Sequence, residues 1–138
     1  RGQVAFPGGG EEAVDLNLEQ TALRETEEEI GVFAKDVRVL GRLDEFLTIS
    51  QYWVTPYVGV IPWPYTFVVS TNEVAAVFHV PLRWLDAPAN FSIRPTELRG
   101  RMVDVIYYEP YQGQVLWGVT ALITVQFLKI LRDFSQMV

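Results

Sequence analysis

Glu25, Glu28 and Glu29 stand close together in the run Arg24-Glu25-Thr26-Glu27-Glu28-Glu29-Ile30-Gly31-Val32. On a helix their i, i+3 and i+4 spacing places all three on one face. Leu23, Thr26 and Ile30 fall on roughly the other side, where they can pack against a sheet. Like charges so arranged repel by about 0.2–0.5 kcal/mol per pair on an exposed helix, and a divalent cation reverses the sign of that cost. Hard oxygen ligands crowded on one face suit Mg2+ or Mn2+, ions that reach substrate phosphates through a few carboxylates and water. Three glutamates taken alone also fit a merely solvated acidic face.

The elements that must position these residues are readable nearby. Asn17 with Gln20 three residues on makes a capping box for a helix over Leu18–Ile30, and Gly31 stops it as a C-cap. Val4–Phe6 reads as a short strand running into a glycine turn at Pro7–Gly10, where consecutive glycines allow positive φ and a close approach of backbone to ligand. Downstream, strands are predicted over Val37–Leu43, over Tyr52–Val60 with an interruption at Pro56, over Glu73–Val80, over Met102–Tyr108 and over Gln114–Trp117. Ile61–Tyr65, with two prolines, is a loop, and Pro81–Leu85 starts a short turn or helix. Asp86–Arg101 reads as irregular, and Gly118–Phe134 closes the chain as an apolar-striped helix. Such an order predicts one α/β domain with a mixed sheet between helices.

Composition narrows the partners. The 138 residues are 49% hydrophobic, enough for one domain with an ordinary core. There is no cysteine, so neither disulfides nor thiolate chemistry is available and a reducing, cytoplasmic setting is allowed. No apolar run reaches membrane-spanning length, and a net charge of −6 argues against nucleic acid as the main partner. A small phosphorylated substrate remains open, since bound metal inverts the local sign. The chain opens on Arg1-Gly2 without Met and is expected to lack an N-terminal part.

These residues resemble the Nudix hydrolases, whose motif is G-x5-E-x7-R-E-U-x-E-E-x-G-U with U a bulky apolar residue. Arg24-Glu25, Glu28-Glu29, Gly31 and Val32 match it, behind Phe6-Pro7-Gly8-Gly9. The proximal half departs: counted from Gly9, the acidic position is Asp15 rather than Glu, and eight residues rather than seven separate it from Arg24. Thr26 replaces the apolar U. Later segments extend the likeness over nearly the whole chain: Leu43-Asp44, Val54–Gly59, Asn72–Val74, Val77–Leu82 and Trp117–Ala121 are similar to the coenzyme A pyrophosphatase branch. That branch often carries G-x3-F-P-G-G, as in Gly2–Gly9, and an acidic residue nine before the arginine, as Asp15 is.

The resemblance implies a Nudix-type α/β/α sandwich over residues 1–138 and a metal-dependent hydrolase of a nucleoside diphosphate linked to another moiety. Coenzyme A or its derivatives, cut to 3′,5′-ADP and 4′-phosphopantetheine, are the implied substrates. ADP-ribose, dinucleotides, nucleotide sugars, or a sensing module without turnover are the alternatives. It implies Glu25, Glu28 and Glu29 as ligands of Mg2+ or Mn2+, with a Gly8 or Gly9 carbonyl adding one, and Arg24 orienting a glutamate. A box glutamate or Glu73, behind Ser70-Thr71-Asn72, serves as general base, with Asp44 and Glu45 in reserve; Glu73 reads equally as a surface glutamate opening a strand. Arg94, Arg99 and Arg101 would hold a 3′-phosphate, or are plain solubility charges. Tyr52, Trp53, Trp63 and Tyr65 would stack on adenine or line a channel, or else pack in the core or a homodimer interface. His79, the one histidine, is expected to be structural.

Overall fold

The first amides of a helix need acceptors, and Asn17 supplies one: its Oδ1 accepts from Gln20 N at 2.9 Å and opens helix α1, Leu18–Ile30. The structure, a computed structural model, describes residues 3–137. Gly2, the first position of the G-x3-F-P-G-G likeness, lies outside the described residues. At the other end of α1, Gly31 takes the left-handed conformation (φ 73°) and its N–H returns to Glu27 O. Both ends fall where the capping residues predict.

The described residues gather into two compact units. The first comprises Phe6–Asp44 and Thr55–Phe78 and holds α1. After α1 a single 3-10 turn, Ala34–Asp36, leads into β1, Arg38–Arg42, which pairs antiparallel with β4, Tyr57–Val60. Val32 and Leu43 are its buried apolar anchors. Tyr65 ties the far loop down, its hydroxyl donating to Asp36 Oδ2 at 2.7 Å and accepting from Phe33 N at 3.0 Å.

The second unit contains Glu45–Val54 and residues 79–137. A small hairpin joins β2, Phe46–Leu47, to β3, Trp53–Val54. A longer one joins β5, Phe91–Leu98, to β6, Arg101–Tyr108, after the short helix α2, Leu82–Asp86. Helix α3, Gly118–Ser135, buries Thr120, Ala121, Thr124 and Leu128. Leu85, Val105, Tyr108 and Leu116 complete this core, and the Tyr108 hydroxyl donates to Leu85 O at 2.9 Å.

The mixed helix-and-strand architecture is therefore present, but among the described residues the strands pair as three separate antiparallel ladders, not as one continuous sheet. The amides explain part of the difference. Val68 N and Ser70 N go to Ile30 O and Glu29 O at 3.0 and 2.9 Å, so this stretch spends its donors on the end of α1. The predicted strand Glu73–Val80 is absent because Glu73 N and Val74 N both turn back to Ser70 O. Val4–Phe6 forms no strand, although Val4 O accepts from the Thr120 hydroxyl at 2.8 Å. Gln114–Trp117 contributes two isolated bridges only. Conversely, Asp86–Arg101 is largely ordered: Phe91–Leu98 is a full strand, and Arg99 (φ 53°) with Gly100 (φ 76°) makes the two-residue turn to β6. Pro56 separates β3 from β4 as predicted.

Candidate active site

Arg24 is the hub of the first unit. Its Nε and Nη2 meet Asp15 Oδ1 and Oδ2 at 2.9 and 3.0 Å, a two-pronged pair in which the Asp15 side chain is 3% exposed. Nη2 also donates to Gly10 O at 3.0 Å, fastening the glycine turn to the helix. Nη1 turns to Glu28 Oε1 at 3.3 Å and stands 3.7 Å from Glu25 Oε2. Asp15 Oδ2 collects two further donors, Glu12 N at 2.8 Å and Thr21 Oγ1 at 2.9 Å. The Arg24 hydrogen bonds, then the Glu12 amide and the Thr21 hydroxyl, hold the Asp15 carboxyl well below the usual carboxylate range. In return Asp15 raises the Arg24 guanidinium still further above its ordinary value.

On the helix face one turn further, Glu29 stands beside Glu25 and near the Gly8 amide. Burial first, then the charge of Glu25, and then that of Glu73, push the Glu29 carboxyl up, against the pull of the Gly8 amide. The glycine turn works here by close approach rather than by unusual φ: none of Gly8, Gly9 and Gly10 has positive φ. A Cβ built on Gly9 would instead collide with the Glu25 carboxylate.

The loop carrying Glu73 is stapled to the same helix. Besides the Val68 and Ser70 amides on the α1 carbonyls, Ser70 Oγ donates to Glu73 Oε2 at 3.3 Å. Glu73 thus sits in a turn, exposed, with its charge felt at Glu29. Asp44 and Glu45 are exposed beyond buried Leu43.

Whether these groups fit a divalent ion is answered by the donor set. Glu25 and Glu29 offer adjacent hard oxygens whose repulsion a cation would relieve, beside a glycine whose missing side chain leaves room for Glu25. Glu28 is paired with Arg24 and its side chain is 52% exposed. Among the described residues no three Asp, Glu, His or Cys side chains are gathered into a ready-made ion site. A divalent ion here would draw first on Glu25 and Glu29, with Glu28 on the same helix face.

The other predicted residues are distributed as follows. Arg94 lies on β5, Arg99 at the hairpin tip and Arg101 at the start of β6, all in the second unit. Arg94 lies 4.9 Å from the Tyr107 ring centroid and 3.7 Å from Glu109, so its charge is already partly engaged. Tyr52 and Trp53 are exposed on the β2–β3 hairpin, and Trp63 is exposed, whereas Tyr65 is half-buried and hydrogen-bonded. His79 is exposed in an irregular segment rather than set in a strand. Sequence reasoning did not single out Thr21, which is 4% exposed, or the carbonyl of Gly10. The available signal was spacing: Thr21 precedes Arg24 by three residues and so shares its helix face.

Beside this helix, turn and carboxylate pair stands a comparison that shows the family: residues 1–99 match the NUDIX domain, and the chain belongs to the Nudix family. It is 40% identical over 131 residues to a protein described as the uncharacterized Nudix hydrolase NudL of Yersinia enterocolitica, covering 88% of this chain and 62% of that one. Proteins of the same description from Yersinia pestis and Yersinia pseudotuberculosis are 39% identical over 122 residues, covering 88% of this chain and 61% of theirs. The chain thus spans about three fifths of the length of these curated relatives. Among the described residues no helix is long and apolar enough to cross a membrane.

Proposed function

We propose that residues 1–138 act as one catalytic Nudix domain of a metal-dependent diphosphatase, with coenzyme A or its derivatives as substrates. Water attacks one phosphorus of the P–O–P anhydride, the bridging bond breaks, and the products are 3′,5′-ADP and 4′-phosphopantetheine. The observation that carries this reading is the Glu25–Glu29 pair packed against the glycine turn, with Arg24 locking turn to helix. Mg2+ or Mn2+, when bound by Glu25, Glu29 and Glu28 with a Gly8 or Gly9 carbonyl, supplies positive charge to phosphoryl oxygens and acidifies water.

The protein's own groups divide the remaining tasks. Arg24 holds Glu28 and the turn; Glu29, with its carboxyl raised, or Glu73 takes the proton from water. Arg94, Arg99 and Arg101 receive the 3′-phosphate. The support for coenzyme A is the likeness of the later segments to that branch, and the substrate is a cytoplasmic small-molecule nucleotide in this reading. The test is a substrate panel with Mg2+ and with Mn2+ on the full chain. Coenzyme A should lead in kcat/KM; a large preference for ADP-ribose overturns the substrate, and no hydrolysis of any diphosphate overturns the activity.

A further inference from the structure

A threonine inside a helix ordinarily turns its hydroxyl back on the carbonyl four residues earlier. Thr21 has that choice, with Asn17 O at 3.3 Å, yet its hydroxyl lies closer, at 2.9 Å, to Asp15 Oδ2. The charged acceptor draws the stronger bond. Thr21 is 4% exposed and the Asp15 side chain 3%, so water has little access to replace this donor. We propose that Thr21 is a positioning residue of the site: its hydroxyl fixes Asp15, Asp15 fixes Arg24, and Arg24 fixes the glycine turn on which Glu25 and Glu29 depend.

The links from Thr21 to Asp15, from Asp15 to Arg24 and from Arg24 to Gly10 are each a hydrogen bond of 2.9–3.0 Å. Asp15 takes the place of a longer glutamate in the Nudix pattern, so its reach to Arg24 depends on where its short side chain is aimed. Glu12 N, ahead of it in the chain, and Thr21 Oγ1, in the first turn of α1, both hold its Oδ2, and both oxygens face the guanidinium. Arg24 Nη2 carries the constraint to Gly10 O at 3.0 Å, and the same turn presents Gly8 N to Glu29 and leaves Gly9 open for Glu25. Thr21 touches none of the reacting groups. Its effect on turnover must pass through orientation.

This inference rests on the diphosphatase reading, and its test separates the two. In the full chain, Thr21→Val keeps the shape and removes the donor, whereas Thr21→Ser keeps the donor. Thr21→Val should lower kcat about tenfold with KM within about twofold, the size expected for loss of one hydrogen bond to a charged group. Thr21→Ser should restore kcat to within about twofold of the parent. By NMR, solvent exchange of the Arg24 Nε–H should quicken about tenfold in Thr21→Val and not in Thr21→Ser. Parental kcat and exchange in Thr21→Val overturn the proposal, as does equal impairment of the serine variant, which points to packing alone. Should the valine variant fail to fold, Thr21→Ala carries the same comparison. If the parent hydrolyses no diphosphate, the proposed function fails and the exchange measurement alone decides the role of Thr21.

Discussion

Arg24 and Asp15 meet through both ends of the carboxylate, Nε to Oδ1 at 2.9 Å and Nη2 to Oδ2 at 3.0 Å, nine residues apart in the chain. The aspartate that departs from the Nudix pattern is thereby a two-pronged carboxylate partner of Arg24. Just before α1, Asp15 N closes a turn on Glu12 O at 2.9 Å, which holds the aspartate's backbone ahead of the helix.

Acid should reveal this pair. The Asp15 carboxyl is held below its ordinary range, so near pH ~4 the unfolded chain binds more protons at this site than the folded one. The stability it contributes is complete above the unfolded value and fades as pH falls through the folded value. Asp15→Asn should therefore melt lower than the parent at neutral pH, with the gap narrowing as pH drops below ~4. Its kcat should fall by about 10–100-fold. Thermal melts across pH check the first point, and a gap independent of pH would remove the electrostatic argument.

Glu29 carries the opposite sign. Its carboxyl is raised by burial, by Glu25 and by Glu73, so ionised Glu29 disfavours the folded state at neutral pH and that penalty lifts as pH falls through its folded value. Glu29→Gln should keep or slightly raise Tm while kcat drops by about 10²–10⁴-fold. Glu28→Gln, at an exposed side chain, should also cost turnover with no loss of Tm. Normal turnover in both variants would falsify the metal-ligand assignment. Manganese binding followed by calorimetry reads the same residues without turnover, and affinity should fall in each variant.

The glycine turn gives a sharper spatial test. An added Cβ at Gly9 strikes the end of the Glu25 side chain, a flexible group that moves aside, whereas a Cβ at Gly10 meets nothing within 4 Å. Gly9→Ala should fold normally yet lose about 10²-fold in kcat, because displacement of a reacting group by roughly 1 Å costs that much. Gly10→Ala should behave as the parent. Kinetics of the two variants side by side check it; equal behaviour would mean that Glu25 need not stand over Gly9.

These residues also show what the sequence makes legible. Helix α1 is written locally, in Asn17, the 3.6-residue spacing and Gly31, and it forms over the residues those signals mark. The glycine turn is legible as a turn, but its reason, the approach of Glu25 to Gly9, lies between segments. Spacing puts Thr21 on the Arg24 face of the helix, but nothing local marks Asp15, six residues back, as its partner. Strand β6 is legible over Met102–Tyr108, but β5 and the turn into β6 escape detection because Pro95 interrupts the strand pattern and Arg99-Gly100 is not a common turn pair. Glu73–Val80 misleads in the other direction, since its apolar residues resemble a strand while its first amides are committed to Ser70.

Gly31 tests how the Glu73 loop is held. At φ 73° an alanine costs about 1–2 kcal/mol in backbone conformation alone. A Cβ there also lies 2.7 Å from Val68 Cβ and 2.8 Å from both Val68 N and Val68 O, atoms of the segment that caps Ile30 and Glu29. Asparagine tolerates the left-handed conformation but still carries a Cβ, so it should recover only the backbone part of the loss. Gly31→Ala and Gly31→Asn should thus both lower Tm, alanine further. Both should reduce kcat as well, because pushing Val68 away moves Ser70 and with it Glu73. Chemical denaturation with kinetics on the same samples checks the pair; full recovery by asparagine would show that the Val68 contact yields freely, and that the loop does not depend on the end of α1.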